Sequence, residues 1–216
     1  MAIIIGTADD DTLIGVLDTE TTMVNLVFPF GGAPQAFHYA TPADVDDTIN
    51  GLAGDDTIRA LDGSGSNDTL NGDSGNDVIF GNDGNDIING GSGNDSLQGG
   101  TGNDIIFGGL GKDTYTGGSG ADILVYHDVA ESPSDGNNKE KMDHIHGFNR
   151  LEGDKIDLSI IDADLTLPGD QAFIEADGIY RPIEGGGVLT VDVEGGDDLQ
   201  IFFVGYPPLS VEDFIL

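Results

Sequence analysis

Aspartate recurs every nine residues at Asp68, Asp77, Asp86, Asp95, Asp104, Asp113 and Asp122. Carboxylates spaced so evenly do not read as one catalytic pair. They read as columns of oxygen ligands, the donor type that hard divalent cations prefer. Each is the sixth residue of a nine-residue unit that repeats without a slip over residues 63–125: GSGSNDTLN, GDSGNDVIF, GNDGNDIIN, GGSGNDSLQ, GGTGNDIIF, GGLGKDTYT and GGSGADILV. The fourth place is Gly, or Ser in the first unit, and the eighth is large and apolar.

What must position these carboxylates follows from the rest of the unit. The six residues G-x-x-G-x-D are turn formers: glycine takes positive φ freely, and Asn or Asp tolerates the left-handed region. The last three, such as Val78-Ile79-Phe80, alternate like a very short strand with the middle side chain turned to one face. Two units then make one eighteen-residue coil of a flattened right-handed solenoid. Its inward stack is expected to be Leu70, Ile79, Ile88, Leu97, Ile106, Tyr115 and Leu124. Like sides recur every second unit, so one ladder holds Asp68, Asp86, Asp104 and Asp122 and the other Asp77, Asp95 and Asp113.

Stacked coils stand ~4.8 Å apart. Two carboxylates at that spacing repel by roughly 3.5 kcal/mol at an effective dielectric near 20. Calcium sits ~2.3–2.6 Å from each of six to eight oxygens, so one ion spans two coils, with glycine-turn carbonyls filling its other positions. Magnesium wants shorter bonds and a stricter octahedron. Same-side pairs give about five to seven calcium ions at the coordination number expected of such sites.

This pattern resembles the repeats-in-toxin (RTX) family of calcium-binding nonapeptide repeats, G-G-x-G-x-D-x-U-x with U apolar. Residues 42–50 extend the match with Asp47 and Ile49, and residues 51–59 with Asp56 and Ile58. Ala60-Leu61-Asp62 break the period, which makes the 47/68 and 56/77 pairs stretched, weaker ion candidates. Residues 6–14, with Asp11 and Leu13, read as a first unit set apart by an insertion. Downstream, Asp143–Phe148 and Gly153–Ser159 resemble the segment that closes the RTX half of serralysin-type proteases, which places Asp143 beside an ion at the end of the roll. The last residues, 210–216, resemble the tail of type I secretion substrates. The protease half and its His-Glu-x-x-His motif are absent.

The composition fits. Forty acidic residues against seven basic ones give a net charge of −33, which opposes compaction. With 35 glycines and few aromatic residues, the ion-free chain is expected to be largely disordered, and ion binding then supplies folding free energy. Such a charge excludes nucleic acid as a partner. There is no cysteine, no transmembrane run, and no basic, apolar leader in Met-Ala-Ile-Ile-Ile-Gly-Thr. The resemblance therefore implies type I secretion machinery as a partner, an extracellular destination that includes the cell surface, and folding on arrival in calcium.

Further features call for an explanation. Residues 15–41, read as a hairpin around Pro29–Pro34, either cap the open end of the roll or contact a ligand. An outward apolar stripe (Ile87, Ile105, Phe107, Ile123, Val125) calls for cover; the candidates are the strands at 172–175, 188–193 and 199–204, or self-association. Lys139, Lys141, Arg150 and Lys155 gather near the end of the roll, where they neutralise acidic neighbours. A His-x-His pair with Tyr126 and His127 marks where a rival enzymatic site, for a sugar or a lipid, would lie, namely Tyr126, His127, His144 and His146.

The fold expected is all-β: a right-handed parallel β-roll with a mostly antiparallel C-terminal cap. Residues 1–41 form a first unit and capping hairpin, 42–126 the calcium-binding roll, and 127–216 the cap with its secretion-like tail. The function expected is that of a secreted calcium-binding protein with a binding or surface-associated role, in a matrix, in adhesion or in a surface layer.

Overall fold

The computed structural model describes residues 46–60, 65–132, 141–161, 185–191, 199–205 and 209–215, and the backbone alone of strands at 3–5, 12–14, 25–27 and 180–183. The described residues form two facing sheets of short strands. Along residues 48–157 successive strands alternate between the sheets, which is how the nine-residue unit becomes half a coil.

Sheet 1 takes β1 (Ile3–Ile5), β3 (Asn25–Val27), β4 (Thr48–Ala53), β6 (Thr69–Ser74), β8 (Ile87–Ser92), β10 (Ile105–Leu110), β12 (Ile123–Val125), β14 (Lys155–Asp157) and β18 (Phe214–Ile215). Sheet 2 takes β2 (Thr12–Ile14), β5 (Thr57–Arg59), β7 (Val78–Asp83), β9 (Ser96–Thr101), β11 (Thr114–Ser119), β13 (Asp143–His146), β17 (Leu199–Val204), β16 (Gly186–Val191) and β15 (Tyr180–Ile183). Every pair in sheet 1 is parallel, and the register sets like places of the unit beside one another: Ile105 beside Ile87, Ile106 beside Ile88. The upstream units fall into the same register, with Ile49 beside Leu70 and Leu13 beside Ile58. The three extra residues after Arg59 do not disturb it.

The inward stack is as the period predicts. Leu70, Ile79, Ile88, Leu97, Ile106, Tyr115 and Leu124 are all buried, and Ile49, Ile58, Ile145 and Ile156 extend the column at both ends. One apolar cluster continues from these residues into Leu189, Val191, Leu199, Ile201 and Phe203. Full burial of an Ile or Leu contributes about 1.5–3 kcal/mol, so this stack is the main apolar contribution to the fold.

Three expectations need correction. First, the strands are longer than three residues. In β6 to β11 the pairing continues through the first two or three places of the next unit (Gly109 beside Gly91, Leu110 beside Ser92). The inward-facing first glycine keeps the pleat going, and only the fourth to sixth places turn. Second, the C-terminal region is antiparallel only in part, as far as it is described. β13, β14, β17 and β18 all join by parallel pairing, and the antiparallel part is the β15–β16–β17 meander at the far end of sheet 2. Third, β16 and β17 do not cover the outward apolar stripe; they extend sheet 2 edge to edge. On the stripe, Val125 is buried, Phe107 meets the His127 ring at 5.2 Å, and Ile87 is left 43% exposed. Strand 172–175 lies outside the described residues, as does most of 15–41. Of that insertion, β3 is described: it adds a parallel strand beyond β1.

The second place of the unit takes a left-handed backbone. Gly91, Gly100, Gly109 and Gly118 have φ between 91° and 126°, and in the earlier units Leu52, Asp73 and Asn82 hold φ of 83°, 70° and 71°. Asp and Asn tolerate that region; for leucine it costs about 1–2 kcal/mol. Leu52 is 40% exposed, so little packing offsets the cost. Leu52→Gly is therefore expected to stabilise the calcium-loaded fold by ~1 kcal/mol, after the entropy of the new glycine is counted. Thermal unfolding checks this: a raised midpoint is expected, and a lowered one contradicts it.

Candidate metal centre

The sixth residue of each unit lies two places before the inward apolar residue, so the pleat turns both side chains into the roll. The ladder aspartates are accordingly almost fully buried: Asp56, Asp68, Asp77, Asp86, Asp95, Asp104, Asp113, Asp122 and Asp143 are at most 2% exposed, Asp154 3% and Asp47 6%. Each main-chain N–H donates to the Oδ1 of the aspartate one coil on. In the sheet 1 column the bonds run Asp47 to Asp68 (2.6 Å), Asp68 to Asp86 (2.8 Å), Asp86 to Asp104 (2.8 Å), Asp104 to Asp122 (3.0 Å) and Asp122 to Asp154 (3.1 Å). In the sheet 2 column they run Asp56 to Asp77 (2.7 Å), Asp77 to Asp95 (2.8 Å), Asp95 to Asp113 (2.8 Å) and Asp113 to Asp143 (2.7 Å). The 47/68 and 56/77 rungs are as short as the rest. The break after Arg59 does not stretch them, contrary to what the sequence suggested.

The second carboxylate oxygen has a different fate. Oδ2 of Asp56, Asp77, Asp86, Asp95, Asp104, Asp113 and Asp122 is buried with no hydrogen-bond donor. An unsatisfied buried acceptor costs about 1–3 kcal/mol, more when charged. Asp68 differs because Ser66, in the place where later units carry glycine, donates its hydroxyl to Asp68 Oδ2 at 3.2 Å. At Asp154 the N–H of Asn149 occupies Oδ2 at 2.6 Å.

The unpartnered oxygens face a glycine cradle. A Cβ placed on Gly72, the first residue of its unit, would press on Asp77 Oδ2 and stand 2.5 Å from Gly90 O of the next coil. The same holds at Gly81 (Asp86 Oδ2 and Gly99 O), Gly90 (Asp95 Oδ2 and Gly108 O) and Gly99 (Asp104 Oδ2 and Gly117 O). A carboxylate oxygen and a main-chain carbonyl therefore converge wherever only glycine leaves room. Among the described residues no three Asp, Glu or His side chains come together as a metal cage. The donor set is thus one or two carboxylates plus carbonyls, all hard oxygens, which suits calcium.

Without a cation, burial pushes Asp86, Asp95 and Asp113 up to about 7 and Asp104 and Asp122 up to about 6. Desolvation leads in every case; the donated N–H opposes it and neighbouring acids add to it.

A further ladder lies on the surface, and the sequence reading overlooked it. Oδ1 of the fifth-place residue accepts the N–H of the residue in the same place one coil on. One series runs Asp46–Asn67–Asn85–Asn103–Ala121 and the other Asp55–Asn76–Asn94–Lys112, at 2.7–3.0 Å. The recurrent Asn-Asp dipeptide was the signal. Its loss at Lys112 and Ala121 marks the last coil, whose fifth side chain has no further coil to support. Asp154 was also missed, although Gly153-Asp154-Lys155-Ile156 repeats the G-x-D-x-U logic in shortened form.

The residues of the rival enzymatic site do not come together. Tyr126 is fully buried against Tyr115, with ring centres 5.9 Å apart. His127 is exposed and lies against Phe107. His144 and His146 share the outer face of β13, where His144 meets Phe202 edge-on at 5.1 Å. Of the basic residues, Arg150 pairs with the buried Asp213 at 3.3 Å and also donates to Ser210 Oγ, and Lys155 donates to Glu212 O, so both hold the last strand against the roll. Lys139 lies outside the described residues.

A family model that describes four copies of the RTX calcium-binding nonapeptide repeat matches residues 44–64, 62–97 and 89–124. Residues 44–124 thus match the RTX calcium-binding nonapeptide repeat. Among solved structures, the AlgE6R3 subunit of the Azotobacter vinelandii mannuronan C5-epimerase aligns at 21% identity over 81% of this chain and 80% of its own, with a TM-score of 0.36. No curated protein matches the chain. Among the described residues no helix is long and apolar enough to cross a membrane.

The carboxyl groups dictate a pH dependence. In the ion-free fold they keep their protons up to about 6 to 7, whereas in the unfolded chain they release them near the ordinary value of 3.8. The fold then binds more protons than the coil, so its stability falls as pH rises through 6 to 7 and recovers on acidification toward 4. Without calcium the chain is expected to be coil at pH 7 and to gain β signal in circular dichroism as the pH falls to 4. A flat or opposite profile contradicts this.

Proposed function

We propose that this chain is a secreted calcium-binding protein whose roll folds when it meets extracellular calcium after type I export, and which then acts outside the cell as a binding or surface-associated component of a matrix, adhesion or surface layer. The observation that carries this reading is the row of buried Oδ2 atoms without donors. The charge of −33 opposes folding without counter-ions, and extracellular calcium modules bind at ~10⁻⁴–10⁻³ M, so the cytosolic chain stays open and the exported chain closes.

The ligands assigned are Asp47, Asp56, Asp68, Asp77, Asp86, Asp95, Asp104, Asp113, Asp122 and Asp143, with glycine carbonyls completing about five to seven sites of the oxygen-rich kind calcium takes. Bound calcium supplies positive charge and coordination to the unpartnered oxygens. The chain's own part is to hold those oxygens in register through the N–H to Oδ1 rungs and to leave room through its glycines. Residues 1–41 act as the entry cap, 42–126 as the ion-binding roll and 127–216 as the exit cap and export tail. The docking of Ser210 and Asp213 by Arg150 supports a tail that belongs to the finished fold.

Circular dichroism is expected to show coil in chelator and β structure in millimolar calcium; identical spectra in both would refute the reading. Asp95→Asn, in mid-column, is expected to raise the calcium concentration at the folding midpoint about tenfold, as a loss near 1.4 kcal/mol would. Asp83→Asn is the control: its carboxylate meets the Thr101 hydroxyl on the exposed side, and its midpoint should not move.

A further inference from the structure

The second column ends unlike its own earlier rungs. Around Gly72 and Gly90 the cradle lies between the unit's aspartate Oδ2 and the carbonyl of the first glycine one coil on. Around Gly108 the atoms that converge are Asp113 Oδ2 and the hydroxyl oxygen of Tyr115. Two departures from the repeat produce this. Tyr115 stands at the eighth place, where the other regular units carry Leu or Ile, so an inward side chain here bears an oxygen. Counted on by nine from Gly117, the next first place falls on Tyr126, not on glycine.

Both tyrosines are fully buried. The Tyr115 hydroxyl donates its proton to Asp143 Oδ2 at 3.2 Å, while Asp143 Oδ1 accepts the N–H of Asp113 at 2.7 Å. Asp113 Oδ2 meanwhile has no donor. A hydroxyl that merely plugged the column would donate to Asp113, but its one proton is spent on Asp143. Once Asp113 has released its proton, its Oδ2 and the lone pairs of the Tyr115 hydroxyl face the same buried point as two acceptors, and a cation reconciles them.

We propose that the Tyr115 hydroxyl oxygen is a ligand of the last cation in the sheet 2 column, replacing the glycine carbonyl of the earlier rungs, with Asp143 orienting it by accepting its proton. The proposal rests on the calcium reading above. It makes Tyr115 a ring that touches a bound ion directly, whereas the other regular units offer only aliphatic side chains at that place.

The test counts ions and uses terbium as a luminescent stand-in for calcium, excited through tyrosine. Tyr115→Phe removes one oxygen and keeps the ring. It is expected to bind one calcium fewer per chain by equilibrium dialysis and metal analysis, and to lose most of the sensitised terbium emission at the last site to fill. Tyr126→Phe should keep the full count. An unchanged count and affinity in Tyr115→Phe overturns the proposal while leaving the calcium reading intact, and so does a gained ion in Tyr115→Leu, which would mean that the ring blocks a site. A native chain that takes up no calcium overturns both. If Tyr115→Phe does not fold, terbium titration of the native chain decides: tyrosine-sensitised emission supports the proposal, and its absence ends it.

Discussion

The structure depends on one constraint: a carboxylate buried every nine residues, with one oxygen bonded to the next coil and the other left bare. The bonded oxygen sets the pitch. Because each Oδ1 takes the N–H of the preceding aspartate, a coil cannot slip by a residue without breaking a rung and turning the apolar stack outward. The bare oxygen makes the fold conditional. Several uncompensated buried acceptors in a chain already carrying −33 are enough to offset the modest net stability of an ordinary domain, so the apolar stack alone does not hold the roll closed. A cation that neutralises the column turns the same residues from the principal cost into a source of stability.

The glycines belong to the same argument. At the fourth place, a Cβ on Gly84 would collide with Ser66 O of the preceding coil, and the backbone there has φ of 139°. At the first place, glycine leaves the space into which a carboxylate and a carbonyl both point. Turn geometry and ligand geometry therefore make one demand, which is why the unit is so regular where ions are expected and relaxes where they are not. Ser66 is the exception at the fourth place, where its hydroxyl donates to Asp68 Oδ2 and helps to hold that carboxylate.

Much of this was legible in the sequence because the period fixes which side chains share a face. The inward stack and both aspartate columns could be assigned residue by residue from spacing alone. What was not legible lies where spacing fails. Asp113 and Asp143 are 30 residues apart and Asp122 and Asp154 are 32 apart, against 18 within the array, so the final rungs form across loops that hide the register. Likewise β17 and β18 join the sheets by parallel pairing through tertiary contact, and nothing local in Leu199–Val204 distinguishes a strand that extends a sheet from one that lies over it. The fifth-place asparagine ladder was visible as a pattern, but its bonds run outside the roll and carry no apolar periodicity to draw attention to them.

The most direct measurement is a crystal structure grown in millimolar calcium, with anomalous scattering used to locate the ions. The account predicts peaks along both columns, each beside an Oδ2 named above and a glycine carbonyl or the Tyr115 hydroxyl. Well-ordered coils with only water, or nothing, beside those oxygens would contradict it.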